Sequence, residues 1–119
     1  MTSEINYSSD KFYDLTATIA NGQTDSGVID LSGLELVGLF IPSNFSATSL
    51  TFQAATSAGG TFVGVQDGYG SAYSLSVAAS KYVPIHNFNV IAGLRFLKLT
   101  AASAQTPTDA VITLALRSL

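Results

Sequence analysis

His86 is the only histidine in the chain and there is no cysteine, so few residues are equipped for acid–base or nucleophilic chemistry. A serine triad needs a histidine within reach of both a serine and an acid. His86 lies in the run His86-Asn87-Phe88-Asn89 with no nucleophile elbow nearby, which suits a loop histidine hydrogen-bonded locally. Glycoside hydrolysis needs two carboxylates roughly 5–10 Å apart across a cleft. Asp25, Asp30, Glu35 and Asp67 qualify by type alone, and their places beside turns and strand edges suit capping. Calcium needs several oxygens converging in one loop. Asn21, Asp25 and Asp30 supply oxygens, but their spacing is unlike an EF-hand. The chain therefore reads as a protein that is not an enzyme, with no cofactor and no metal.

Arg95 has a different kind of chemistry. It stands in Ile91 to Thr100, I-A-G-L-R-F-L-K-L-T, the most apolar strand candidate of the second half. Strand side chains alternate between faces, so Arg95, Leu97 and Leu99 share one face while Phe96, Lys98 and Thr100 share the other. A cation on the side of two leucines belongs at the rim of a core and needs an acid there. Asp30 and Asp67 are the candidate partners, and a rim salt bridge that locks strand order is the expectation. Phe96 and Lys98 on the second face are candidate contacts for assembly or a ligand. So are Phe12, Tyr13 and Tyr69, because aromatic rings supply flat apolar area for a sugar or a protein partner. Tyr69, between Gly68 and Gly70, should be exposed; Tyr73 and Tyr82 should sit at the edge of the core.

These residues are held by a chain that reads as strands throughout. Residues 1–14 are polar and mixed, an expected N-terminal arm carrying Phe12 and Tyr13 as an aromatic anchor. Leu15 to Ala20 alternates with Leu15, Ala17 and Ile19 inward, and Asn21-Gly22 is a turn signal. Short strands are expected at Gly27 to Leu31 and Leu34 to Ile41; Gly38 within the latter marks a bulge or a close backbone approach, and Pro42 ends it. Ser49 to Thr56 and Phe62 to Gln66 read as a hairpin across Ser57-Ala58-Gly59-Gly60. Tyr73 to Val77, Tyr82 to Ile85, Ile91 to Thr100 and Val111 to Leu116 follow. The spacing predicts an all-β, single-domain jelly-roll sandwich of about eight or nine short antiparallel strands over residues 15–119.

Composition narrows the partners. The 119 residues suffice for one domain, and 47% hydrophobic content argues against disorder. Charged residues make up only 11% of the chain, which suits a protein packed into an assembly. Its five basic residues, Lys11, Lys81, Arg95, Lys98 and Arg117, are scattered singly, so the phosphate-neutralising term of nucleic-acid binding is missing. No apolar run approaches the roughly 20 residues of a membrane span, and the longest, Leu34 to Pro42, contains Glu35. The N-terminus shows no basic-then-apolar leader pattern, so synthesis in a cytoplasm is expected.

Two stretches, L-T-F-Q-A-A-T-S-A-G-G-T-F-V-G-V-Q-D (Leu50 to Asp67) and G-L-R-F-L-K-L (Gly93 to Leu99), resemble the discoidin-like, galactose-binding-like jelly rolls. Phe62 and the run Arg95 to Leu99 fill the family's aromatic and basic-strand roles. There is no acid before Gly59, no tryptophan and no cysteine pair. The longer run from Leu15 through L-V-G-L-F-I-P and A-A-S-K-Y-V-P-I to G-L-R-F-L-K-L, roughly residues 15–117, resembles small structural proteins of tailed bacteriophages. That resemblance implies a virion component made in the host cytoplasm, decorating or reinforcing the particle, most directly the capsid. Its partners would be the major capsid protein or another virion protein and further copies of itself. The alternative it leaves open is a carbohydrate-binding or tail-associated attachment module with a glycan as ligand. Self-association is expected because Leu34–Ile41 and Leu94–Thr100 each carry apolar residues on two faces.

Overall fold

The alternation in the sequence becomes nine strands in two antiparallel sheets, with no α-helix among the described residues. The computed structural model describes residues 12–86 and 90–118. The strands are β1 (Phe12–Ile19), β2 (Ile29–Asp30), β3 (Glu35–Phe40), β4 (Ser49–Ala55), β5 (Val63–Gly64), β6 (Ser74–Ser76), β7 (Tyr82–Pro84), β8 (Phe96–Ala101) and β9 (Ala110–Arg117). Their pairing is nested: β1 with β9, β2 with β8, β3 with β7, and β4 with β5 and β6. A long hairpin rolled once on itself produces this nesting, and it deals successive strand pairs, β1/β9, β2/β8, β3/β7 and then β4 with β5 and β6, alternately to the two sheets. One sheet runs β1-β9-β3-β7; the other runs β2-β8-β4-β5, with β6 also beside β4. This is a jelly roll.

The core lies between the sheets and is filled by every second residue. In β4 the buried positions are Leu50, Phe52 and Ala54; in β8 they are Leu97, Leu99 and Ala101; in β9 they are Ala110, Ile112, Leu114 and Leu116. Each fully buried leucine or phenylalanine contributes about 1.5–3 kcal/mol by leaving water. Phe52 stacks on Tyr73 with ring centroids 5.8 Å apart. Burial pushes the Tyr73 hydroxyl's pKa up, and that hydroxyl donates to the His86 carbonyl.

Four expectations change. The expected arm ended at residue 14, but Phe12, Tyr13 and Asp14 belong to β1, because they pair in register with Arg117, Leu116 and Ala115. Residues 1–11 lie outside the described residues. Leu15 is more than a third exposed although it shares a face with buried Ala17 and Ile19, so that half of β1 overhangs the core. Ile91 to Arg95 is not strand: Gly93, at φ 84°, closes a turn in which the Leu94 amide donates to the Ile91 carbonyl, and β8 starts at Phe96. Tyr82 is not at the core edge but on the outer face of β7. Its ring lies on Gly38, at a bulge between Leu36 and Gly38 that lets β3 stay paired to β9.

Candidate interaction surface

The outer face of the β1-β9-β3-β7 sheet is set by strand register. One row across it is Asp14, Ala115, Gly38 and Pro84; the next is Thr16, Thr113, Phe40 and Tyr82. Small residues thus occupy the middle, with rings on either side. Phe12, Tyr13, Asp14, Phe40 and Ala115 line a hollow of about 450 Å³. Phe40 is 52% exposed and tilts against Tyr82, centroids 4.7 Å apart. Val111 is also exposed on this face. At one end the Arg117 Nε donates to the Glu35 Oε1 at 2.6 Å, and the Glu35 carboxylate is almost fully covered. Apolar side chains outnumber charges here, on a face that alternation would leave polar.

The outer face of the other sheet is polar or self-covered. Gln53 Nε2 donates to Thr100 Oγ1 at 2.8 Å and to Asp25 Oδ2 at 3.2 Å, and Thr100 Oγ1 donates to Asp25 Oδ1 at 3.0 Å. Lys98 Nζ sits 4.7 Å from the Phe62 ring centroid, and the Arg95 guanidinium 4.9 Å from that of Phe96. The two apolar faces of Leu94–Thr100 are therefore accounted for within the chain: Leu97 and Leu99 in the core, Phe96 under Arg95. Gln53 and Lys98 face each other across β4 and β8, so the two stretches of the discoidin-like resemblance are neighbours.

Arg95 meets Asp30, with Nε to Oδ1 at 2.9 Å and a second guanidinium nitrogen to Oδ2 at 3.2 Å. The pair ties the approach to β8 to the strand beside it, since Asp30 is opposite Phe96 in the ladder. The Arg95 hydrogen bond holds the Asp30 carboxyl at about 2 rather than 3.8, helped by the Ser32 amide; in turn Asp30 raises the Arg95 pKa. A cleft of about 440 Å³ beside the pair is lined by Ser32, Gly33, Leu34, Gly93, Leu94 and Arg95. Asp67, the other candidate partner, accepts instead from the Tyr69 amide at 2.7 Å and the Ser71 amide at 3.3 Å, which fixes a tight turn. Tyr69 stands at its tip, 90% exposed.

The remaining chemical candidates do not converge. Asn21, Asp25 and Asp30 each serve a different neighbour: the Asn21 amide donates to Asp109, Asp25 joins Thr100, and Asp30 joins Arg95. No group of three metal-ligating side chains forms among the described residues. Gln105 carries no signal in the sequence, yet it is wholly buried. Its Oε1 accepts from the Ser46 amide and hydroxyl, and its Nε2 donates to the Asn44 and Thr108 carbonyls, pinning two loops together.

The fold and its faces define a β-sandwich of jelly-roll type whose most distinctive surface is an apolar outer sheet face. No family model and no curated protein sequence matches the chain. Among solved structures it is similar to the SPBc2 prophage-derived protein YomS, with a TM-score of 0.53 and 14% identity, over 95% of this chain and 100% of that one. At that identity the likeness is one of fold.

Proposed function

We propose that this chain is a structural protein of a bacteriophage particle that decorates or reinforces the virion, most directly the capsid. The observation that carries the reading is the Ala115-floored hollow between Phe12 and Phe40 on an otherwise solvent-facing sheet. A hollow of this shape takes one bulky aliphatic or aromatic side chain of a partner protein, and Asp14 at its rim suits a basic or backbone N–H donor beside that side chain. Such a function needs a rigid fold, few charges and a surface repeated by symmetry rather than an active site. The fold shared with a prophage-derived protein and the texture of residues 15–117 support the same reading. A tagged chain expressed in a host producing the phage should band with the particles in a density gradient and be visible on them by cryo-electron microscopy. Recovery only in the particle-free fractions would overturn the proposal.

The second reading, a glycan-binding attachment module, is favoured by Tyr69 alone. A ring 90% exposed on a turn braced by Asp67 is a ready stacking surface for a sugar. Glycan-array binding that is lost in Tyr69→Ala would favour it over the first.

A further inference from the structure

One side of β4 is shared by two strands. Ser49, Leu50 and Thr51 pair with β6, whereas Gln53 and Ala54 pair with β5. Between these halves the chain joining β5 to β6 branches away as a hairpin. The Val65 amide donates to the Phe52 carbonyl, the Tyr73 amide donates to the Val65 carbonyl, and Gln66 bridges to Ala72. A hollow of about 330 Å³ sits at this fork, with Thr51, Gln53, Gly64, Gln66, Ala72 and Thr100 in its lining. That is the small end of the range for ligand pockets, about 300–1,000 Å³.

Strand register lays out the floor in rows. One row is Asp25, Thr100, Thr51 and Ser74; the next is Lys98, Gln53 and Gly64. The first row consists wholly of hydroxyl and carboxylate side chains. In the second, the Gln53 amide is held in place. Both its hydrogens go to Asp25 and Thr100, so what it offers a ligand is the acceptor Oε1. Thr100 in turn spends its hydroxyl hydrogen on Asp25. Thr51 and Gln66 add a hydroxyl and an amide that both donate and accept. Gly64 is the odd member. Its φ is not left-handed, and a Cβ there would meet no described atom within 4 Å. Gly38 is required by the Tyr82 ring lying on it, but neither the backbone nor a described neighbour requires glycine at 64. Glycine weakens a strand, and inside one it often marks the close approach of a ligand. A side chain at 64 would fill the hollow.

We infer that this hollow, with the rows beside it, binds a short neutral oligosaccharide. Each sugar hydroxyl both donates and accepts, which suits a mixed set of donors and acceptors already held by one another. Asp25 and Lys98, the two charges on the rows, cancel, and Lys98 is drawn onto the Phe62 ring, so the floor suits an uncharged ligand. An apolar side chain seated here would leave the hydroxyl row without partners. Three inter-strand steps of about 4.8 Å make that row about 14 Å long, which is more than one sugar ring covers. The site lies on the sheet rather than at the Tyr69 turn, and it does not rest on the virion reading.

The test is titration of the isotope-labelled full chain, followed by amide NMR, with trimers of glucose, galactose, mannose and N-acetylglucosamine. At least one trimer should shift the amides of Thr51, Gln53, Gly64, Gln66 and Thr100 together. Gly64→Val should keep or raise the melting temperature, since a β-branched residue suits a strand, and should weaken that binding at least about tenfold by filling the hollow. Thr51→Val keeps the shape, removes one hydroxyl and should weaken binding about two- to tenfold. Raising salt from about 0.05 to 0.5 M should leave the affinity unchanged. No shift with any of the four trimers overturns the inference. So do shifts confined to Asp67–Ser71, which would put the sugar at the Tyr69 turn instead. Wild-type affinity in Gly64→Val or in Thr51→Val, or an affinity that falls with salt, overturns it as well. A chain that bands with particles yet binds no trimer loses the saccharide site and keeps the virion reading.

Discussion

The two sheets are alike inside and unlike outside. Both fill their inner faces with Leu, Ile, Phe and Ala at every second position. Outward, the β2-β8-β4-β5 sheet closes over itself: Asp25, Gln53 and Thr100 satisfy one another, and the two cations lie over Phe62 and Phe96. The β1-β9-β3-β7 sheet leaves Phe40, Tyr82 and Val111 open beside an Ala115 floor. A lone exposed hydrophobic residue means little, but Phe40 and Tyr82 touch one another on this face, and the proposed docking would cover them.

The strongest test contrasts inner and outer positions of one strand. Leu114→Ala on the inner side of β9 should cost about 2–5 kcal/mol in denaturant unfolding, by transfer and cavity terms together. Val111→Ser on its outer side should change stability by less than about 0.5 kcal/mol. A comparable loss from Val111→Ser would mean that the outer face is already packed within the monomer, and the contrast between the sheets would fail.

This inner pattern was legible in the sequence; the nesting was not. Period-two alternation at Leu50-Phe52-Ala54 and Ile112-Leu114-Leu116 fixes which side is buried whatever the strand pairs with, because only backbone geometry is involved. Pairing order depends on β2, β5 and β7, which are two or three residues long and too short to carry a pattern. Arg95 shows the same division. Its need for an acid follows from its neighbours, but the choice between Asp30 and Asp67 rests on β2 lying beside β8, a long-range contact. Gln105 gave no signal at all, since a glutamine in a polar loop looks the same whether its amide faces water or four backbone and hydroxyl groups. The apolar hollow was hidden for a related reason: Phe12, Phe40 and Ala115 come from three strands and meet only through register.

A smaller effect is expected where the open face carries charge. Arg117→Ala leaves the covered Glu35 carboxylate without its strongest donor and should cost about 1–3 kcal/mol. Replacing both, as Glu35→Leu with Arg117→Leu, should recover part of the loss, because the buried charge is gone too. A double variant no better than Arg117→Ala would show that the pair is needed for its geometry, and would weaken the view of this face as chiefly apolar.

Binding should separate the two outer faces where stability does not. Phe40→Ser should leave the melting temperature nearly unchanged and lower particle binding by about tenfold or more, as expected for a ring at the centre of a contact. Phe62→Ser on the other sheet should leave binding as it was. If the two variants bind equally well, the hollow is not the docking surface.

The smallest effect belongs to the pair on the rim of the polar side. Asp30 is held at about 2 by Arg95 against an ordinary 3.8, so in acid the unfolded chain takes up this proton before the folded one does. The stabilisation is then complete above about pH 4 and is lost as pH falls towards 2. Both side chains are well exposed, so water and salt screen the pair and the loss is slight. Arg95→Ala should lower the melting temperature at pH 7 more than Lys98→Ala does, because Lys98 gives up a contact with one ring whereas Arg95 gives up a two-pronged bond between neighbouring segments. It should also flatten the melting curve's dependence on pH between 4 and 2, which Lys98→Ala should leave intact. Equal melting temperatures for the two variants, with the same acid limb, would remove Arg95 from any role in fixing β2 against β8.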